Sequence, residues 1–298
     1  MQKFFTTSKS RRVETFESLL NRPLKHHHSL PGKRELRMAG ITWHVFIPDS
    51  LLEETHDPKL RAYKVGQIAR AAAIFGVEHI WIYRAGGRDG RFIKTLLEYA
   101  ETPQYLRKRL FPLMPELRYA GVMPPLQIPS HKPKESPRIG EIREGFAYRK
   151  GKKLFADIGL DRPALVKGVA QEGRGTFKVI SVKPLRVVPT KPEGYWGYKV
   201  HLTRMTLAKT LKKANLDVVI ATSRKGVDVR RADVTLEGDV GIVFGSPRRG
   251  VMEILREFNE DYEFDVILNT IPGQKTKTVR TEEAVLATLA VLNLMRGD

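Results

Sequence analysis

The sequence predicts an α/β protein, a parallel sheet covered by helices and interrupted by a small β-barrel. Three observations predict it. Strand-like and helix-like runs alternate between Ile41 and Ala100 and again between Thr206 and Met295, the pattern of a parallel sheet. Between them, from about Met123, short alternating runs separated by Gly and Pro read as a barrel. The final stretch, Phe264 to Met295, sets a polar loop between a short apolar strand and a helix that is apolar on almost every side. Such a loop is pinned between two core elements and is suited to hold a ligand.

In order, residues 1–37 are basic and only weakly periodic, and are expected to be a poorly packed, RNA-binding arm. The run His26-His27-His28 reads as incidental, so no metal site is expected. Ile41 to Ile47 is a strand by its β-branched and aromatic content, and Lys59 to Phe75 is a helix ended by Gly76. His79 to Tyr83 is the next strand, followed by a glycine turn and a helix over Arg91 to Ala100. Five prolines between Pro124 and Pro137 mark a linker. Barrel strands are expected at Ala164–Val169, Thr176–Val182, Leu185–Val188 and Tyr198–Leu202, with two or three aromatics exposed for base stacking. Helices follow at Thr206–Ala214 and Val251–Phe258, with strands at Asp217–Ile220, Gly241–Phe244 and Val266–Leu268. Thr281 is expected to cap the last helix, with Glu282 and Glu283 favourably placed in its first turn. The expected division is therefore 38–122 with 206–298 as one α/β unit and 123–205 as an inserted barrel.

Charge points to a polyanionic partner. The net charge is +19, and it is uneven: residues 1–37 carry 9 Lys/Arg against 3 acids, residues 125–205 carry 17 against 7, and the rest 26 against 23. A basic arm and a basic barrel beside a balanced core suit RNA. With 41% hydrophobic residues a full core is available, and the absence of cysteine removes disulfides and thiolate metal sites. No apolar run reaches membrane length and the N-terminus lacks an apolar signal core, so a soluble, cytoplasmic protein is expected.

The segment IPGQ followed by TVRTEEAVLATLAVLN resembles the last motif of the SPOUT-class methyltransferases, in the archaeal and eukaryotic branch with an inserted β-barrel. IPDSLLEE and KVGQIARAAAIFGVEHIWIYR resemble the opening of that branch. The resemblance implies an α/β trefoil knot at the C-terminal end, S-adenosylmethionine lying against it, a ribosomal RNA substrate, and a homodimer whose partner helps complete each active site. The surplus apolar surface of Ala284 to Met295 fits such a dimer and equally fits a buried core helix.

Three loops follow strands on one side of the sheet, where ligands of open α/β sheets bind. The first offers Thr222 and Ser223 to the cofactor, the second Gly245, Ser246 and Pro247, with Gly245 expected to let the backbone approach it closely. The third offers Asn269, Ile271, Pro272, Gly273 and Gln274, then Thr278, Val279, Arg280 and Thr281. The chain has neither GxGxxG nor GxxxxGK[ST], which argues against a dinucleotide enzyme or an NTPase. Methyl transfer from a sulfonium needs positioning and at most help with a proton. The uridine imide loses its proton readily, so a nearby cation could suffice: Arg61, Lys64, Arg70, Arg224 and Arg248 are the candidates, each equally readable as a surface charge. Two other readings stay open: a non-catalytic RNA-binding or ribosome-assembly factor with the same fold and, disfavoured by the charge, a protein methyltransferase.

Overall fold

The computed structural model describes residues 40–132 and 136–296. The expected basic arm over 1–37, with its histidine run, lies outside the described residues. In chain order the first unit comprises β1 (Thr42–Pro48), α1 (Pro58–Ile74), β2 (Val77–Arg84), α2 (Gly90–Glu101) and α3 (Gln104–Leu110). Five strands follow: β3 (Ile142–Lys150), β4 (Lys153–Asp157), β5 (Ala164–Val166), β6 (Gly173–Val182) and β7 (Leu185–Pro189). The chain ends with β8 (Lys199–Thr206), α4 (Leu207–Ala214), β9 (Val218–Asp228), β10 (Asp239–Val243), α5 (Val251–Glu257), β11 (Val266–Asn269) and α6 (Thr281–Met295).

Six strands pair in the order β11-β9-β10-β1-β2-β8, every pair parallel. The central strand β1 is buried along almost its whole length, His44 included, as a mostly apolar strand requires in a sheet covered on both faces. On one face Val45, Ile47, Ile80 and Ile242 pack with Val65 and Ile68 of α1 and Val285, Leu289 and Leu292 of α6. On the other, Phe46, Trp81, Tyr83 and Val219 pack with Leu207 and Leu211 of α4 and Ile254 and Leu255 of α5. Helix α1 starts where the sequence provides a cap: the Asp57 carboxylate accepts from the Leu60 N–H at 2.9 Å, and Pro58 occupies the first turn.

The other five strands close a barrel in the order β3-β4-β5-β7-β6, with a core of Ala147, Ala156, Val166, Phe177, Val179 and Val187. All pairings are antiparallel except β5 with β7. This is the OB-like form expected. Two of its strands were hidden in the sequence: IREGFAYRK and KLFAD mix charges with apolar residues and hold only a thin apolar face, and two of those charges, Arg143 and Glu144, are buried.

One expected barrel strand belongs elsewhere. Tyr198–Leu202 falls in the segment that pairs through β8 with β2, as the last strand of the parallel sheet. An edge strand half-covered by protein alternates like a barrel strand, so periodicity cannot assign it. Thr281 is likewise not the cap of α6. The helix begins there, Arg280 precedes it, and the Glu283 carboxylate accepts the Arg280 N–H at 2.9 Å. Helix α6 is also less enclosed than its composition suggests, since Leu286 and Leu294 are 44% and 84% exposed.

The barrel's position follows from connectivity. Helix α2 runs back from the carboxyl ends of the strands to their amino ends, and β8 begins there. Whatever is inserted between them must sit at the amino ends. The junction confirms it: Arg174 of β6 donates to both oxygens of Glu101 at the end of α2 (2.7 and 2.9 Å) and to Glu144 of β3 (2.8 Å). Glu144 also accepts from Thr176 and from the Trp196 indole. Burial pushes the Glu101 carboxyl above its usual range, with the Arg174 hydrogen bond opposing it.

Candidate functional site

The loops after β9, β10 and β11 come together at the carboxyl ends of the sheet. Strand β9 makes this possible by an interruption. Ala221 pairs with Ile267, but the next pair along is Val227 with Leu268, so residues 222–226 are pushed out of the ladder. Gly226 turns the chain back: a Cβ there would lie 2.6 Å from the Ile267 carbonyl oxygen. The extruded residues form one wall of a cavity of about 490 Å³, within the usual range of small-ligand sites.

Short side chains tie the three loops to one another. Thr222 Oγ1 donates to the Val243 carbonyl at 2.8 Å. Asn269 Nδ2 donates to the Arg224 carbonyl at 3.0 Å, while its Oδ1 accepts from the Ile271 N–H. Thr281 Oγ1 donates to the Gly245 carbonyl at 3.0 Å, which explains a threonine at the start of α6 better than capping does. Behind the loop, the hydroxyls of Thr270 and Thr288 meet at 2.7 Å in a buried pair. Arg224 donates to the Lys277 carbonyl at 2.8 Å and holds the long loop over the cavity.

Of the residues expected to face a cofactor, Thr222, Ser223, Gly245, Ser246, Pro247, Asn269, Ile271, Gln274, Thr278, Val279 and Thr281 line this cavity. Pro272, Gly273 and Arg280 do not line it; Gly273, at φ +73°, makes the bend of the loop. Gly245 lines the cavity, and its own loop also requires a glycine there. A Cβ there would stand 2.5 Å from the Arg249 carbonyl oxygen and 3.0 Å from the Gly250 Cα. The glycine thus lets its own loop close, through the Ser246 N–H to Arg249 carbonyl bond of 2.8 Å. The sequence reading missed the apolar lining from Phe244, Val251, Met252 and Leu268, and Thr288. The only signal for Thr288 was a lone hydroxyl in an apolar helix.

The candidate cations separate into two groups. Arg248 and Arg224 line the cavity, together with Lys225, Arg249, Arg256 and Lys277. Arg248 is mostly exposed and reaches Glu54 at 3.3 Å, whereas Arg249 is fixed, donating to the Ala85 carbonyl and to Glu257. Arg61, Lys64 and Arg70 do not line it. Arg61 pairs with Asp89 and lies over Phe92; Lys64, almost buried, is 3.4 Å from Glu282; Arg70 donates to the carbonyls of Pro125 and Leu126. Among the described residues no group of three His, Asp or Glu is arranged to hold a metal ion, and no helix is long and apolar enough to cross a membrane.

A parallel sheet whose strand-end loops enclose a ligand-sized cavity lined by six cations and by Glu253 defines an α/β protein with a ligand site at the carboxyl ends of its strands. Comparison with known proteins supplies the family. The profile of the family described as "Putative RNA methyltransferase" matches residues 42–292, and the chain belongs to that family. It is 34% identical over 285 residues to an uncharacterised protein of Halobacterium salinarum, covering 85% of this chain and 99% of the relative. It is 32% identical over 309 residues to the human 28S rRNA (uridine-N(3))-methyltransferase, covering 88% of this chain and 80% of the relative. Among solved structures, the SpoU methyltransferase AviRb from Streptomyces viridochromogenes in complex with AdoMet aligns with a TM-score of 0.36 and 10% identity, over 88% of this chain and 61% of that one.

Proposed function

We propose that this RNA methyltransferase transfers a methyl group from S-adenosylmethionine to N3 of a uridine in ribosomal RNA. The observation that carries the reading is the cavity built by the three strand-end loops, cationic at its mouth, in a chain of this family. The names of relatives in human, mouse and fly, each a 28S rRNA (uridine-N(3))-methyltransferase, support the target.

The residues present fit the cofactor. The volume suits a bent nucleoside, the walls are apolar at Phe244, Val251, Met252 and Leu268, and Gln274 and Thr278 offer polar groups at the rim. Bound there, S-adenosylmethionine supplies an electrophilic methyl group on a sulfonium. The chain's own part is positioning and electrostatics. Thr222, Asn269 and Thr281 spend their side chains on neighbouring loops, which keeps the cavity in one shape before a ligand arrives. Arg224, Arg248 and Lys277 surround the mouth. Their charge favours the anionic form of a uridine imide, so N3 gives its proton to water and presents a lone pair. Arg248 is the leading candidate for this role. Arg61, Lys64 and Arg70 are held by partners within the fold and rank behind it.

The same reading includes a knot and a dimer. Val229, Ala232, Val234 and Leu236, between β9 and β10, pack on the core that contains Val285, Leu289 and Leu292 of α6, as expected if α6 is threaded beneath that segment. Leu60 and Tyr63 on α1 and Leu286 on α6 leave apolar surface exposed on two helices that pack together, which suits a second copy. Sedimentation of the full chain and of Leu286→Glu tests the dimer.

The test of activity is incorporation of labelled methyl into unmodified large-subunit ribosomal RNA, with reverse transcription to locate the product. Methylation at N3 blocks the pairing edge and stops the polymerase. Tight binding of S-adenosylmethionine without incorporation would favour an assembly factor that retains the fold.

A further inference from the structure

The barrel carries a second cavity, of about 400 Å³, between the β3–β4 turn and the β5–β6 loop. Arg149, Lys152, Lys153 and Lys167 line it, and Leu154 and Leu165 belong to its apolar part. Arg149 is 3.0 Å from Glu172. Among the described residues the three lysines form no ion pair, although each is exposed. Like charges gathered in a concavity repel one another and gain nothing from the fold, so they suit an incoming anion. Both connecting turns are open at their glycines: Gly151 and Gly168 have φ of +61° and +82°, and a Cβ at either would meet nothing within 4 Å. The lining holds no aromatic side chain, so stacking contributes little there, and the volume admits a nucleotide but no duplex.

We propose that this cavity holds the sugar–phosphate backbone of a single-stranded RNA segment, the phosphates against Lys152, Lys153 and Lys167 and a base over the apolar floor. The proposal rests on RNA being the substrate and adds where a part of it away from the target nucleotide is held. Because the barrel sits at the amino ends of the sheet, this site is separate from the cofactor cavity at the carboxyl ends. Binding there is independent of base identity and strongly dependent on salt.

The test uses the full chain and a fluorescein-labelled twelve-nucleotide oligouridylate, with anisotropy measured across a salt series. The variant K152E/K153E/K167E is compared with K209E/K212E/K213E, which makes the same change in net charge on exposed residues of α4. The site variant is expected to lose at least tenfold in affinity and to lower the slope of log K against log salt by about 2, three phosphates at ~0.7 each. The α4 variant is expected to lose less than threefold. Equal losses would show diffuse attraction, and no loss in the site variant would show an unused cavity; either overturns the proposal. Binding of the parent to phosphatidylserine vesicles in place of RNA would overturn it too. S-adenosylmethionine is titrated into all three proteins. Failure of the wild-type protein to bind it would overturn the methyltransferase reading while leaving the RNA result to stand by itself.

Discussion

The two ends of the sheet are held together by different chemistry. At the carboxyl ends, threonine and asparagine side chains cross-link three loops through neutral hydrogen bonds, and cations are left facing the cavity. At the amino ends, Arg174 is held by Glu101 and Glu144, and three histidines and a tryptophan stack across β1, β2 and β8. Trp81 Nε1–H donates to His44 Nδ1, which leaves the His44 proton on Nε2, facing Asp239. His79 Nδ1 lies 2.9 Å from His201 Nε2, a contact that requires at least one neutral ring. The contrast teaches that the cavity end takes much of its rigidity from short neutral groups, with Arg248 and Arg249 at its edge paired to Glu54 and Glu257, whereas the barrel junction is held by a buried ionic cluster.

The largest expected effect tests the amino-end junction. Arg174→Ala leaves two buried carboxylates facing each other and should cost about 2–3 kcal/mol, less than a fully buried pair because the guanidinium is partly exposed. Thermal unfolding measures it. Cofactor affinity should stay within twofold; a large drop would mean that the two ends are coupled.

Next is Gly245→Val at the other end. The added side chain collides with the Arg249 carbonyl, so the Ser246–Gly250 loop must open. S-adenosylmethionine affinity should fall at least tenfold, about 1.4 kcal/mol, with some loss of stability, while oligouridylate binding persists. Calorimetry on the folded variant decides it, since unchanged affinity would remove this loop from the site.

The histidine stack gives a pH effect. Burial, with help from neighbouring positive groups, pushes His79 and His201 down to about 4. The unfolded chain then binds more protons than the folded one between the ordinary histidine value, about 6.5, and about 4. Stability should therefore be fully present above the upper bound and fall through that window on acidification. His79→Gln with His201→Gln should flatten the profile; an unchanged slope would assign the acid sensitivity to other groups.

The smallest effect on stability, and the most specific on function, belongs to Arg248→Ala. Its exposed pair with Glu54 contributes roughly 0.5 kcal/mol or less. Melting should barely move, while methyl incorporation falls and its pH profile shifts upward, because the imide must then ionise unaided. Full activity at neutral pH would transfer the role to Arg224 or Lys277.

Much of this was legible in the sequence, because it depends on local order. Alternating strands and helices dictate a parallel sheet, and loops after strands must then lie together at one end. An insertion between a helix end and the next strand start must lie at the other. What only the tertiary structure decided depends on neighbours. Periodicity reports that one side of Lys199–Thr206 is covered but not by what, so it could not tell sheet from barrel. It could not foresee that β9 would resume pairing with β11 at Val227 after skipping five residues, since only Asp217–Ile220 reads as a strand and the rest reads as loop. Nor could it separate Arg248 from Arg61, Lys64 and Arg70. A cation is defined by its partner, and these partners are distant in the chain, as Glu282 is from Lys64 and Glu101 from Arg174. The sequence chose the layers and the ends of the molecule; packing chose which cations line the cavity and which are held elsewhere in the fold.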